Sequence, residues 1–365
     1  MRLIFGADLV PTSITEPAFV RGDAEAFFGD ATRIFKGADR FIVNLECALT
    51  ERDTAIKKIG PPLKASPKCT AGLLALGVTD ACLANNHIYD FGEGGFRDTL
   101  RALDEAGISY TGVGENDNDS RTPHFFDIED KRFAIINVNE SEYSYALSDR
   151  CGVNPVNPAR LMHDIRAAKA LSDYTVVVYH GGKELCRYPS PRLYDLSHEM
   201  VRAGADVVLC QHSHCVGCYE RFEGGHIVYG QGNFNFMWDT GNECWTDGLA
   251  VEVQIENNEL SLVFHPLVTN FDEGRVELAA GERAREILSG FLARSEELKT
   301  GEWRRGWREF CESVAPIYNK VVREALSDNP TEPRANEFFA HYIDCEAHLD
   351  VLKELFQTWN RTVKQ

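Results

Sequence analysis

Apolar residues in the first 270 or so positions fall into short runs rich in β-branched side chains, separated by stretches of helical spacing. Leu3-Ile4-Phe5, Phe41-Ile42-Val43, Val176-Val177-Val178 and Val207-Val208-Leu209 are apolar at every position, the pattern of strands buried on both faces. Segments 39–45, 80–84, 109–111, 175–179 and 206–210 are therefore predicted as strands. Between them, 24–36, 67–76, 93–106, 158–171 and 191–203 carry helical spacing. Three of these helices open at or beside Pro67, Pro158 and Pro191, a residue suited to the first turn.

The alternation breaks at 125–138, 219–229 and 250–267, which read as antiparallel hairpins, with Asn257-Asn258 as a tight turn in the last. Mixed sheets follow, two of them packed face to face with helices outside. Strand signals stop after Asp272, and 281–294, 303–326 and 335–361 predict three amphipathic helices broken by Gly301, Gly306 and Asn329-Pro330. The expected division is a domain at 1–272 and a C-terminal helical extension at 273–365. Its aromatic residues, Trp303 to Trp359, suit packing against the sandwich as an appendage that takes no part in the site.

Composition narrows the function. With 365 residues, 44% of them hydrophobic, the chain can bury a large core. Fifty-six acidic against 38 basic side chains leave a formal charge of -18, which argues against nucleic acid and anionic membrane surfaces as partners. No leader-like segment or membrane-spanning window is read, and eleven cysteines, several inside apolar runs, fit buried thiols in a reducing cytoplasm. Cys210, Cys215 and Cys218 lack the paired spacing of a zinc knot and read as structural thiols.

Chemistry-bearing residues stand at the ends of the apolar runs: Asp8, Glu46, Asn85-Asn86-His87, His180, His212-Ser213-His214 and Asn233. In layered α/β folds ligands bind beyond the carboxyl ends of strands, so residues far apart in sequence can converge there. Carboxylate, amide and imidazole donors suit a divalent ion. Each also has a plain structural role open to it, the histidines as paired core residues, Asn86 as a helix cap, Asp8 and Glu46 as solvated strand ends.

The stretch Asn85-Asn86-His87-Ile88-Tyr89-Asp90-Phe91-Gly92, with Asn44-Leu45-Glu46 before it and Gln211-His212-Ser213-His214 and Gly232-Asn233-Phe234 after it, resembles the CapA family of bacterial poly-gamma-glutamate (capsule) synthesis proteins. That family is similar to the calcineurin-like metallophosphoesterases. The resemblance implies an α/β fold, a four-layer αββα metallophosphatase-like sandwich, holding one or two divalent ions (Mn, Fe or Zn). It implies Asp8, Glu46, Asn86, His180, His212 and His214 as metal ligands, with His87 left to protonate a leaving group and Glu184 as a further base, ligand or anchor.

Lys64 and Asn233 are candidates to meet an anionic substrate, each with a structural alternative, a surface lysine and a glycine-turn packing residue. Two positions depart from the phosphoesterase pattern: Val10 stands where a histidine is usual, and Glu46 where an aspartate bridges. The implied activity is hydrolysis of a phosphoester or a glutamyl amide by a metal-activated water, on a small molecule or anionic polymer. The alternative is a non-catalytic binding or assembly protein of capsule synthesis. The sequence leaves the oligomeric state open.

Overall fold

In the strand Arg2–Val10, Leu3 and Phe5 point to one side and Ile4 to the other, and all three are buried. A strand buried on both faces must lie between two layers. Leu3 and Phe5 join Ile42, Ile135, Val176, Val178 and Val251 in a core between two sheets. Ile4, Phe41 and Val43 instead pack outward on Phe19, Phe28, Leu73 and Phe96, which come from the flanking helices. The second sheet repeats the arrangement, with Ile136, Val177 and Val208 against Leu161, Ile165, Leu193 and Met200. The fold is a four-layer αββα sandwich carrying C-terminal helices. This computed structural model describes residues 1–356.

The first sheet has Arg2–Val10 near its centre. On one side the strands run parallel, through Arg40–Leu45 and Asp80–Cys82 to Ser109–Thr111. On the other they run antiparallel, through Asp247–Glu256 and Glu259–Asn270 to Arg275–Leu278. Asn233–Phe236 pairs in parallel with the far end of Arg2–Val10. In the second sheet Lys131–Asn139, Tyr174–His180, Val207–Gln211 and Gly225–Val228 are parallel, with His124–Ile128 and Tyr219–Phe222 antiparallel at the edges. Asn257 and Asn258 both have positive φ, 52° and 67°, as the predicted two-residue hairpin turn requires.

Several expectations are corrected. The single helix expected over 24–36 breaks at Gly29, whose φ of 48° ends Ala24–Phe28 before Thr32–Phe35 begins. Strands do not stop at Asp272, because Arg275–Leu278, too short to show a pattern, pairs with the end of Glu259–Asn270. The third C-terminal helix divides at Cys345, which is extended (φ −77°, ψ 121°), into Ala335–Asp344 and Glu346–Phe356. Its expected end, with Trp359, lies outside the described residues.

The C-terminal helices pack against the sandwich. Ile287 and Phe291 of Gly281–Thr300 enter the inter-sheet core, and Trp303 stacks on Tyr194 at 4.6 Å. Among the described residues no helix is long and apolar enough to cross a membrane. All eleven cysteines are free, ten of them buried.

Candidate metal centre

Several parallel strands of the two sheets end at one rim and carry or lead into a polar residue there. Arg2–Val10 changes register around Asp8, an irregularity that re-aims the side chain. His180 closes the strand Tyr174–His180, level with Gln211 of the neighbouring strand. His212 and His214 follow with φ of 82° and 52°, a conformation non-glycine residues avoid unless their surroundings hold them. Tyr143 and Leu185, on two other rim loops, share it at 53° and 62°. The other non-glycine residues with positive φ among the described residues, Glu129, Glu223, Asn257 and Asn258, lie in hairpin turns.

Asp8, Glu46, Asn86, His180, His212 and His214 come together and are all buried. His180 Nε2 lies 3.0 Å from Asn86 Oδ1 and 3.4 Å from Glu46 Oε1. His214 Nδ1 lies 3.3 Å from Asp8 Oδ2. Ligand atoms at about 2.1 Å from a common ion sit roughly 3 to 3.5 Å apart, which is the spacing seen. Glu46, His180 and His212 form one group of ligand atoms within 4.8 Å of one another, Asp8, Glu46 and His214 a second, and Glu184, His212 and His214 a third. Glu46 thus belongs to two of them, yet neither of its carboxylate oxygens has a hydrogen-bond partner, and His212 Nδ1 has none. An unpartnered buried carboxylate is costly, and an ion would satisfy it. The donor set of carboxylates, an amide and imidazoles fits a divalent ion.

Charge within the cluster is divided unequally. Burial opposes ionisation of Asp8, but His214 and His180 beside it hold its carboxyl at about 2. Burial and the nearby Asp8 push Glu46 well above the usual carboxylate range. Burial lowers His180 and His212 to about 4, leaving both neutral with lone pairs available to a metal. Burial also opposes protonation of His214, but Glu46 and Asp8 raise it to about 9.

Supporting side chains surround these. Asn44 Nδ2 donates to Asp8 Oδ1 at 2.8 Å and lies 3.1 Å from His180 Nδ1. Asn85 Nδ2 donates to Asn44 Oδ1, and Asn85 Oδ1 accepts from the His87 and Ile88 amides. His87 turns its Nδ1 to Asp90 Oδ2 at 2.7 Å, and Asp90 is also paired with the buried Lys58 at 2.6 Å. Burial and Lys58 lower His87 to about 4. In that neutral form Nδ1–H donates to Asp90, and Nε2 is left for a substrate in the cleft.

Two of the expected substrate residues are placed elsewhere. Lys64 Nζ donates to Arg52 O and Asp53 Oδ1, outside the cleft; the lysine beside His87 is Lys58. Asn233 is buried behind His214, accepting from its Nδ1 at 2.9 Å while donating to Trp245 O. Glu184 stands at the mouth, its side chain 47% exposed. Val10 is buried in the apolar cluster of the first flank.

Over the cluster lies a cavity of about 210 Å³ lined by Asn86, His87, Glu142, Glu184, His341 and His348, among others. A vestibule of about 380 Å³ adjoins it, sharing Lys58, Ile59, Glu142 and His341. Sequence reasoning missed Lys58, Glu142, His341 and His348. Asn44, Asn85 and Asp90 lay inside the quoted motifs, but only contacts reveal their roles.

Residues 2–237 match the family described as bacterial capsule synthesis protein PGA_cap. The chain is 31% identical over 210 residues to the capsule biosynthesis protein CapA of Bacillus anthracis, covering 55% of this chain and 50% of that one. It is 27% identical over 274 residues to the PGA biosynthesis protein CapA of Bacillus subtilis, covering 70% and 67%. The chain thus spans half the length of the first relative and two thirds of the second. A dimetal phosphatase from Danio rerio is a distant structural neighbour, with 9% identity, TM-score 0.33, and 54% of this chain and 84% of that one covered.

Proposed function

Because the chain belongs to the bacterial capsule synthesis protein family PGA_cap, we propose that it is a metal-dependent hydrolase of an anionic substrate, either a glutamyl amide of a carboxylate-rich polymer or a phosphoester. The observation that carries this reading is Glu46, a buried carboxylate without a hydrogen bond at the meeting point of two potential ligand groups. Asp8, Glu46, Asn86, His180, His212 and His214 would hold one or two divalent ions. A bound ion would supply Lewis-acid polarisation and lower the pKa of water.

The chain's own residues supply the rest. Lys57, Lys58 and Arg334 line the vestibule together with Glu142, Glu337 and Asp344, so its lining is balanced in a chain whose formal charge is -18. His87, with Nδ1 held by Asp90, offers Nε2 to take up a proton from the attacking group and return it to the leaving group. Glu184 at the mouth is placed to orient the substrate. A second reading, a binding or assembly protein of capsule synthesis, is favoured by one observation. The buried Val10 leaves the first strand without the usual imidazole.

Metal analysis of protein purified without added metal, with and without His212→Ala, separates the two. Stoichiometric Mn, Fe or Zn lost in the variant is expected. Metal-loaded protein should then hydrolyse an aryl phosphate or a gamma-glutamyl anilide. His87→Ala should keep its metal while its rate falls roughly 10²- to 10⁴-fold. Metal-free wild type, or loaded protein inert on both substrates, would leave the binding reading.

A further inference from the structure

The helices Ala335–Asp344 and Glu346–Phe356 lie beyond the segment matched by the family, and they are bonded to three loops that rim the metal centre. Toward the loop before Leu63, Arg334 Nη2 donates to Lys58 O at 2.9 Å, and Lys57 Nζ donates to Glu337 at 2.5 Å. Toward the loop after Asn139, Ser141 donates to the Glu346 carboxylate from its amide and its hydroxyl, at 2.7 and 2.9 Å. His341 Nε2 stands 3.3 Å from Glu142 there, and its ring stacks on Tyr143 at 5.3 Å. Toward the loop after His180, Ser190 Oγ and Arg192 Nε converge on Asp350 Oδ2 at 2.6 and 2.8 Å. The first two loops are also tied to each other, since Ile59 N donates to Tyr143 Oη at 2.9 Å.

A groove that binds the interior of a polymer needs an exit on each side of the reacting bond. Here the two helices bridge all three loops on one side of the centre. The helices and loops wall a half-open cavity of about 210 Å³, which continues past Lys58, Ile59, Glu142 and His341 into the vestibule of about 380 Å³. Buried charge pairs hold the roof in place: Arg192 joins Asp350 of the last helix to Glu140, beside the strand that ends at His180. A lid meant to swing open would be expected to rest on fewer such contacts.

We propose that this roof makes the centre end-selective. It accepts a small anion or the terminus of a polymer chain fed past His341 and Glu142, and it excludes a chain's interior. His341, on the inner wall of both cavities, is the roof residue that touches the incoming terminus. The proposal rests on the reading above that the cleft receives an anionic substrate, and it holds whether or not that substrate is then cleaved.

The test uses the full chain loaded with Mn and two gamma-glutamyl oligomers, one several times longer than the other, titrated by calorimetry. One protein bound per oligomer chain at both lengths, with similar affinity, is the expected result. A stoichiometry that climbs with oligomer length would overturn end selection while leaving the glutamyl reading intact. Absence of binding by either oligomer would remove the glutamyl reading and this proposal with it. His341→Phe, which keeps a ring to stack on Tyr143, should retain metal and weaken oligomer binding at least about tenfold. Unchanged affinity in that variant would show that the roof does not meet the substrate.

Discussion

Asn233 stands one hydrogen bond behind the cluster, and its effect can be separated from that of the ligands. It accepts from His214 Nδ1, the nitrogen that also faces Asp8, and so holds the ring in place against the cluster. Asn233→Ala should leave the fold intact and lower metal affinity roughly 10- to 100-fold, the usual cost of losing a ligand's orienting partner. Competition with a chromophoric chelator would measure it, and an affinity equal to wild type would assign Asn233 to packing alone. The residue itself stood out in the sequence, between Gly232 and Phe234, but its direction did not. The lysines make the same point. Lys64 sits in a proline-rich stretch that draws notice, whereas Lys58 lies among exposed, featureless positions and reaches His87 and Asp90 only through the course of a loop. Strand-end ligands were legible because a two-sided strand fixes where its last residue emerges. Residues on long loops have no such period to betray them.

At the scale of elements, close packing between strands supports that same orientation. Gly248 of Asp247–Glu256 lies against Asn233, and a Cβ built there would fall 1.9 Å from Asn233 O. Neither backbone can yield easily, since Gly248 also sits in the ladder with Leu267 and bridges Gly232. Gly248→Ala should therefore destabilise the protein by about 1 to 3 kcal/mol, and it should weaken metal binding by displacing Asn233. Thermal melts and the chelator competition would check both effects; a variant as stable as wild type would show that the contact relaxes freely. Elements with a strong local signature were read correctly, among them the Asn257-Asn258 hairpin and the proline-started helices Pro158–Lys169 and Pro191–Ala203. Asn233–Phe236 was not read as a strand, because its four residues gain their ladder from a distant partner, Arg2–Val10. The break at Cys345 was missed for a similar reason. It lets Glu346 reach Ser141, a tertiary bond with no trace in local spacing.

Across the whole molecule, the first sheet is tied together by one carboxylate, and this gives stability a defined pH dependence. Glu252 receives Arg2 Nε at 2.7 Å, Gln254 Nε2 at 2.9 Å and His265 Nε2 at 2.8 Å, linking the first strand to two strands some 250 residues later. Burial opposes its ionisation, yet the hydrogen bonds from Arg2, Gln254 and His265 outweigh burial and hold it at about 2, against an ordinary 4.5. A carboxyl whose folded value is depressed adds stability that is complete above the unfolded value and is lost as pH falls toward the folded one. For Glu252 that window runs from about 4.5 down to about 2. The formal charge of -18 adds its own trend, since protonating surface carboxylates relieves self-repulsion down to the isoelectric point near 5.1 and builds up positive charge below it. The melting temperature of wild type alone therefore mixes two trends, and a difference measurement is needed. Glu252→Gln keeps the shape and most of the surface charge but cannot ionise. It should melt below wild type at pH 7, with the gap constant down to about pH 4.5 and closing as pH approaches 2. A gap that stayed constant throughout that window would mean that Glu252 contributes through its shape and neutral hydrogen bonds, and not through its charge.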